Sequence, residues 1–256
     1  MRKSIFAVAL VAAALTVAGS AGATRHAGTF KYCTDPTFPP MELATASGKI
    51  TGFDVDMAQK LALTWGANAT PVKTAFPGLI PALNAQKCDA VISGIFITPD
   101  RTKVAPAIAY MHSHRVLIVA AGNPKGIKSP NSLKGLHVAV QGGTKYEEYL
   151  KALKAKIGFS LQSYPGDTDA VAQVLLGRAD AVLTQDTSYA FQAGKHPGKL
   201  GIGFTFAGSD AFGIYYRAAD SATIGAQIKD GIARLKVKGT LNGLALRYKI
   251  PVADVK

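Results

Sequence analysis

One stretch of the chain has the residue types and spacing to hold an anion. Ser93-Gly94-Ile95-Phe96-Ile97-Thr98-Pro99-Asp100-Arg101 sets a threonine before a proline, the pairing expected where a hydroxyl caps a helix and proline takes its first position. Arg101 then falls in the first helical turn, where a cation opposes the helix dipole unless an anion lies nearby. Its planar fork suits a carboxylate. The alternative is a surface arginine paired with Asp100 or another acid. A second stretch, Gln141-Gly142-Gly143-Thr144-Lys145, runs from a strand into a helix, and the unpaired N–H groups of a helix start also favour an anion. Thr144 could instead do no more than cap that helix. His112 and His114 stand two apart, a spacing that puts both on one face of a strand. No further metal ligand is identifiable, so hinge contacts beside the cleft are the expected role and no metal is expected. The chain has no G-x-S-x-G, H-E-x-x-H, C-x-x-C or complete G-x-G-x-x-G, so neither a catalytic residue nor a cofactor is expected. Asp35, Glu42 and Asp186 are the acids an enzyme could use.

The elements that must position these residues alternate. After residue 30, short apolar runs and helical patterns follow one another, which implies βαβ units and mainly parallel sheets. Residues 30–34 and 90–93 read as strands, 53–65 and 78–85 as helices. The later half repeats the order, with strands at 136–140 and 181–184 and helices at 145–153 and 170–176. Leu83-Asn84-Ala85-Gln86-Lys87-Cys88-Asp89-Ala90-Val91 lies over Val174-Leu175-Leu176-Gly177-Arg178-Ala179-Asp180-Ala181-Val182. Each is a helix end, a basic residue, then Asp-Ala-Val, which suggests two lobes of similar build, although any two βαβ units share composition. Residues 212–217 read as a further strand and 224–248 as helical, with a closing helix over 236–248. If these return to the first lobe, the chain crosses between lobes near 112–120 and 208–214, and paired crossings act as a hinge. Ligands bind beyond the carboxyl ends of strands in open α/β sheets, which selects residues 35–38, 93–96, 141–145 and 184–186.

Composition bounds the partners. The 256 residues are 48% hydrophobic and 18% charged, enough for one or two domains with a sizeable core and too apolar for a disordered chain. Arg2 and Lys3, an apolar run over residues 5–18 and Ala21-Gly22-Ala23 describe an export signal cut after Ala23. The run is shorter than the roughly 20 residues of a spanning helix, and no lipid-accepting cysteine follows it. Removing Arg2 and Lys3 leaves 29 − 2 = 27 basic residues against 16 acids, a net +11. The lysines are scattered and no basic run is interleaved with aromatics, which argues against nucleic acid. Two cysteines cannot make a disulfide scaffold or a four-thiolate zinc site. An exported compartment permits one bond between Cys33 and Cys88, but one lies near a strand's end and the other before a strand begins, so two free thiols are equally open.

Several runs together resemble a known family. They are Cys33-Thr34-Asp35-Pro36-Thr37-Phe38-Pro39-Pro40-Met41-Glu42, Gly52-Phe53-Asp54-Val55-Asp56-Met57-Ala58, Gly78-Leu79-Ile80-Pro81-Ala82-Leu83, Ile97-Thr98-Pro99-Asp100-Arg101 and, later, Gly177-Arg178-Ala179-Asp180-Ala181-Val182. They resemble the family 3 solute-binding proteins of ABC transporters, extracytoplasmic receptors for polar amino acids. The resemblance implies an α/β, two-lobed periplasmic-binding-protein fold, each lobe a mainly parallel sheet flanked by helices, joined by two hinge crossings. With a signal peptide at 1–23, lobe 1 would comprise 24–114 plus 212–256 and lobe 2 would comprise 115–211. It further implies a monomeric periplasmic receptor that captures an amino acid, or a carboxylate derived from one, and delivers it to an ABC permease. A dehydratase-like enzyme of the same fold and a ligand-sensing receptor are the alternatives.

Carried over by residue, the resemblance implies that Phe38 stacks on the ligand, with Asp35 nearby and Phe76 opposite. Arg101 would take the α-carboxylate, helped by backbone N–H groups of Phe96 and of Thr144 or Lys145. The Ser93 hydroxyl and the Gly94 carbonyl would receive the α-ammonium. The chain departs from the family twice. Phe96 stands where serine or threonine is usual, and the family's second-lobe acid falls at Gln185, with Asp186 one residue later. Either an extra residue brings Asp186 to the ammonium, or a neutral amide replaces the carboxylate and Arg101 and Lys145 favour a more anionic ligand.

Overall fold

In a computed structural model the described residues are 28–255, so the expected signal at 1–23 lies outside them. Strand β1 (Thr29–Thr34) leads into a small sheet of β2 (Thr37–Phe38), β3 (Glu42–Ala44) and β4 (Ile50–Thr51). Then come α1 (Phe53–Leu63), β5 (Asn68–Lys73), α2 (Leu79–Asn84), β6 (Ala90–Val91), α3 (Pro99–Thr102) and β7 (Ala107–Ser113). The second half runs β8 (Arg115–Ala120), β9 (His137–Gln141), α4 (Lys145–Ile157), β10 (Ser160–Tyr164), α5 (Asp167–Leu175), β11 (Ala181–Gln185), α6 (Asp186–Lys195) and β12 (Leu200–Thr205). Strand β13 (Asp210–Tyr216), α7 (Ala226–Val237) and α8 (Thr240–Arg247) follow.

Two five-stranded sheets result, ordered β5-β1-β6-β13-β7 and β10-β9-β11-β8-β12. Each has one reversed strand: β13 is antiparallel to β6 and β7, and β8 is antiparallel to β11 and β12. These reversed strands are the ones that arrive from the other sheet. Only His114 separates β7 from β8, and residues 206–209 separate β12 from β13. Each sheet is thus completed by a strand that has just crossed, which ties the two lobes at a two-stranded hinge. Asp210 and Ala211, assigned by sequence to lobe 2, pair with Ser113 and His112 of the first sheet.

Burial follows the layers. Strand β8 buries Val116, Leu117, Ile118 and Val119 in an unbroken run, as a strand covered on both faces must. Phe53, Met57 and Leu61 of α1 join Ile228, Ile232 and Leu235 of α7 in one core, so the C-terminal helices do return to the first lobe. The helical stretch over 224–248 holds two helices: Gly239 adopts a left-handed φ of 66° between α7 and α8, a conformation that ends a helix. Cys33 and Cys88 are bonded, with Cα atoms 5.7 Å apart, inside a small cluster with Leu79, Leu83 and Val91. The open question is settled by β1 and β6 lying side by side, which brings the segment before β6 onto the end of β1.

Candidate functional site

The two sheets face each other across a cleft, with strand ends and helix starts at its walls. From the first lobe come Phe38, Phe76, Gly94, Phe96 and Arg101. From the second come Gln141 at the end of β9, Thr144, Lys145 and Tyr146 at the start of α4, Asp167 at the start of α5, and Leu183, Thr184 and Gln185 at the end of β11. Together they line a narrow cleft that is nearly shut, with about 20 Å³ left for water. The lobes touch around this space. Gln141 Nε2 donates to Asp35 Oδ2 at 2.9 Å, Lys145 Nζ meets Asp100 Oδ2 at 3.0 Å, and the Phe96 and Tyr146 rings lie edge to face at 5.4 Å. At Gly143, with φ of +75°, an added Cβ would come within 2.6 Å of Pro77 Cγ on the opposite lobe. Only glycine allows so close an approach there.

Arg101 occupies the position its sequence context predicts. The Thr98 hydroxyl caps α3, accepting from the Arg101 N–H, and Pro99 takes the first helical position. The guanidinium donates through Nη1 to the Phe96 carbonyl at 3.1 Å and lies 5.5 Å from the centroid of the Phe76 ring. Among the described residues no carboxylate lies within 4.0 Å of it; Asp100, the surface partner considered from sequence, pairs with Lys103 and Lys145. Burial pulls the guanidinium pKa down, the sign of a cation removed from water without a full counter-charge.

The second loop divides its tasks. The Thr144 hydroxyl accepts from the Glu147 N–H at 3.2 Å and donates to the Gln141 carbonyl at 2.8 Å, so it caps α4 while standing at the cavity wall. The Lys145 ammonium is held by Glu148 at 2.7 Å and Asp100 at 3.0 Å. Those two acids raise its pKa, and its charge closes the mouth of the cleft.

Three residues expected at the ligand stand off the cavity wall. Asp35 is 4% exposed, and its Oδ2 accepts from the Phe76 N–H at 3.1 Å as well as from Gln141. The Ser93 hydroxyl accepts from the Asp35 N–H and donates to Glu42 Oε1, both at 2.9 Å, which turns it away from the cavity. Beneath it, Asp54 Oδ2 accepts from the Gly94 N–H at 2.8 Å and from Tyr110 Oη at 2.9 Å. Burial pushes Asp54 up to about 6, and burial next to Asp54 drives Glu42 well above the usual carboxylate range. Asp186 faces the hinge: its Oδ1 accepts from Ser113 Oγ at 2.7 Å and its Oδ2 meets His114 Nδ1 at 3.0 Å. The extra residue after β11 is absorbed as the first residue of α6, which leaves Gln185 at the wall. His112 meets Ser209 Oγ at 3.5 Å, a contact across the two crossings.

Asp167 was missed by sequence reasoning. It is 3% exposed, accepts from Thr184 Oγ1 and Ser188 Oγ at 2.5 Å each, and burial pushes it up to about 6. The signal that could have found it is β10. That strand reads Ser-Leu-Gln-Ser-Tyr and is largely exposed, so it shows no apolar run. Recognised as a strand, its carboxyl end would have pointed to Pro165-Gly166-Asp167 by the strand-end rule.

Comparison with known proteins agrees with this architecture. The bacterial extracellular solute-binding proteins, family 3, match residues 30–250. The lysine/arginine/ornithine-binding periplasmic protein of Escherichia coli (strain K12) is 31% identical, over 97% of this chain and 97% of its own length. An ancestral arginine-binding protein bound to arginine superposes with a TM-score of 0.81 at 29% identity, covering 87% of this chain and 99% of that one. The ancestral amino acid-binding protein AncCDT-1, a precursor of cyclohexadienyl dehydratase, gives a TM-score of 0.79 at 30% identity, covering 86% and 95%. With two lobes, two crossings and a polar cleft between them, the chain belongs to the bacterial extracellular solute-binding proteins of family 3.

Proposed function

We propose that the protein is a periplasmic receptor that closes on an amino acid, or a carboxylate derived from one, and delivers it to the permease of an ABC transporter. The observation that carries this reading is Arg101: a half-buried guanidinium at a cleft wall, with no carboxylate within 4.0 Å of it among the described residues. Its free donors suit a carboxylate in bidentate geometry, and the N–H groups at the start of α4 add partial positive charge on the same cavity. Phe38, Phe76 and Phe96 supply apolar walls. The family supports the permease as partner. In this reading lobe 1 comprises residues 28–113 and 210–255, lobe 2 comprises 115–205, and the segments between them are the hinge.

A thermal-shift screen of the twenty L-amino acids, opines and dicarboxylates identifies the ligand class. Arg101→Ala should then weaken the best ligand by about 30-fold or more, the loss expected when one member of a buried charge pair is removed. Unchanged affinity in calorimetry refutes the assignment. A second reading, a dehydratase-like enzyme, draws on the likeness to AncCDT-1 and on Asp167, a cavity carboxyl that keeps its proton up to about 6 and could act as a general acid. Mass spectrometry of the ligand after incubation separates the two: intact ligand supports the receptor, and a dehydrated or decarboxylated product supports the enzyme.

A further inference from the structure

We infer that Asp167 is the residue of this chain that receives the cationic group of the bound molecule, so that the ligand is dipolar and joins Arg101 of one lobe to Asp167 of the other. The inference rests on the reading of the cleft as a ligand site. Its ground is a carboxyl group that is 3% exposed and lines the cavity without a cationic partner. Thr184 Oγ1 donates to Oδ1 and Ser188 Oγ donates to Oδ2. These hydroxyls, from β11 and α6, orient the group but bring no charge. Among the described residues no lysine, arginine or histidine forms an ion pair with it. A buried carboxylate left without a partner is strongly unfavourable, and a ligand cation entering the cavity is the counter-charge within reach.

The other acids near the cleft are already engaged. Asp186 is held by Ser113 and His114 at the hinge, and Asp35 by Gln141 and the Phe76 N–H. Glu42 and Asp54 lie behind Ser93 and Gly94, bonded to them. Gln185, at the end of β11, is neutral. The second lobe therefore presents one acid at the wall, and it comes from the start of α5 instead of the end of β11. Because Arg101 and Asp167 belong to different lobes, a molecule carrying both charges satisfies both only when the cleft is shut. Closure is then coupled to ligand charge as well as to shape.

The group also predicts a proton count. The titratable and charged groups around Asp167 are Asp35, whose charge raises its pKa, Tyr146 on α4, and Arg101 and Lys145 on the same cavity. With no cation present the carboxyl holds its proton up to about 6; a bound cation stabilises the carboxylate and expels that proton.

The test uses the full mature chain, the twenty L-amino acids as probes, and the desamino acid of the tightest binder. Asp167→Asn keeps the shape and lets Thr184 and Ser188 keep a hydrogen-bond partner. It should weaken the amino acid by about 30-fold or more while the desamino acid, which lacks the α-ammonium, binds it as it binds the parent. Retained desamino binding also shows that the variant folds. Calorimetry at pH 5 in buffers of different ionisation heat should show proton release on binding by the parent and none by Asp167→Asn. Equal amino-acid affinity in parent and Asp167→Asn, with binding lost in Arg101→Ala, overturns this inference and leaves the receptor reading intact. A selective loss in Asp186→Asn or Gln185→Ala instead overturns it as well. Binding of a dicarboxylate without a cationic group, with no amino acid or opine bound, overturns this inference alone; failure of amino acids, opines and dicarboxylates alike to bind the parent overturns both.

Discussion

Gly143→Ala tests whether the closed cleft is the binding state. Its added Cβ would meet Pro77 Cγ at 2.6 Å and Pro77 Cβ at 3.0 Å, against about 3.4 Å for an ordinary contact, a shortfall of 3.4 − 2.6 = 0.8 Å. Pro77 sits in a rigid turn before α2, so the lobes must part to relieve the overlap. Parting by that much lengthens Gln141–Asp35 from 2.9 Å and Lys145–Asp100 from 3.0 Å to beyond good hydrogen-bond range. Overpacking of this kind costs about 1–3 kcal/mol, which in a closed-state equilibrium is roughly a 5- to 150-fold loss of ligand affinity. The left-handed φ of 75° adds a separate strain of about 1–2 kcal/mol for alanine. That strain is present whether the cleft is open or shut, so it lowers the melting temperature by about 2–8 °C without touching affinity. The control is Gly142→Ala, whose Cβ would find its nearest neighbour, the Tyr164 carbonyl, at 3.5 Å; it should bind like the parent. Calorimetry gives the affinities and differential scanning the stabilities. If Gly143→Ala melts earlier yet binds as tightly as the parent, the Gly143–Pro77 approach is no part of the liganded state and the closure argument is wrong.

Two further predictions concern the fold. The Cys33–Cys88 bond spans 55 residues of sequence, a loop whose closure is worth about 4 kcal/mol in the chain-entropy account. Cys88→Ser, or reduction of the parent, should lower the urea unfolding free energy by up to that amount, and an unchanged midpoint would show the bond to be without consequence. Buried carboxyls set the pH dependence of the empty protein. Asp54 and Asp167, both raised from 3.8 to about 6, bind protons more tightly folded than unfolded. Their contribution is therefore complete below about pH 4 and is lost as pH rises through 6. Glu147, lowered from 4.5 to about 2, works in the opposite sense, but its contribution changes only below about pH 4.5. The urea midpoint should fall between pH 5 and pH 7, less steeply in Asp167→Asn; a rising midpoint contradicts the assignment.

The local sequence determined much of this protein. Apolar spacing marked β1, α1, α4 and β11 to within a few residues, because those elements bury one face or both against a neighbour. Thr98-Pro99 announced the start of α3, and with it the turn that carries Arg101, because capping depends on adjacent residues alone. The ordered set of motifs identified the family, and Phe38, Phe76, Gly94, Phe96, Arg101, Thr144, Lys145 and Gln185 do meet at one cavity.

Other features depended on partners distant in the chain. Sequence could not decide between Gln185 and Asp186, since one residue of offset at the end of β11 reverses which side chain faces the cleft. It could not tell whether the Ser93 hydroxyl faces the cavity or Glu42, which stands 51 residues away. It offered no reason to notice Asp167, because β10 is polar and gains its place only by pairing with β9. Nor could it show that the Lys145 ammonium would be engaged by Asp100 across the mouth. Periodicity and capping act over a few residues and are written in the chain, whereas the direction of a buried polar side chain is set by which donor or acceptor the fold brings opposite it.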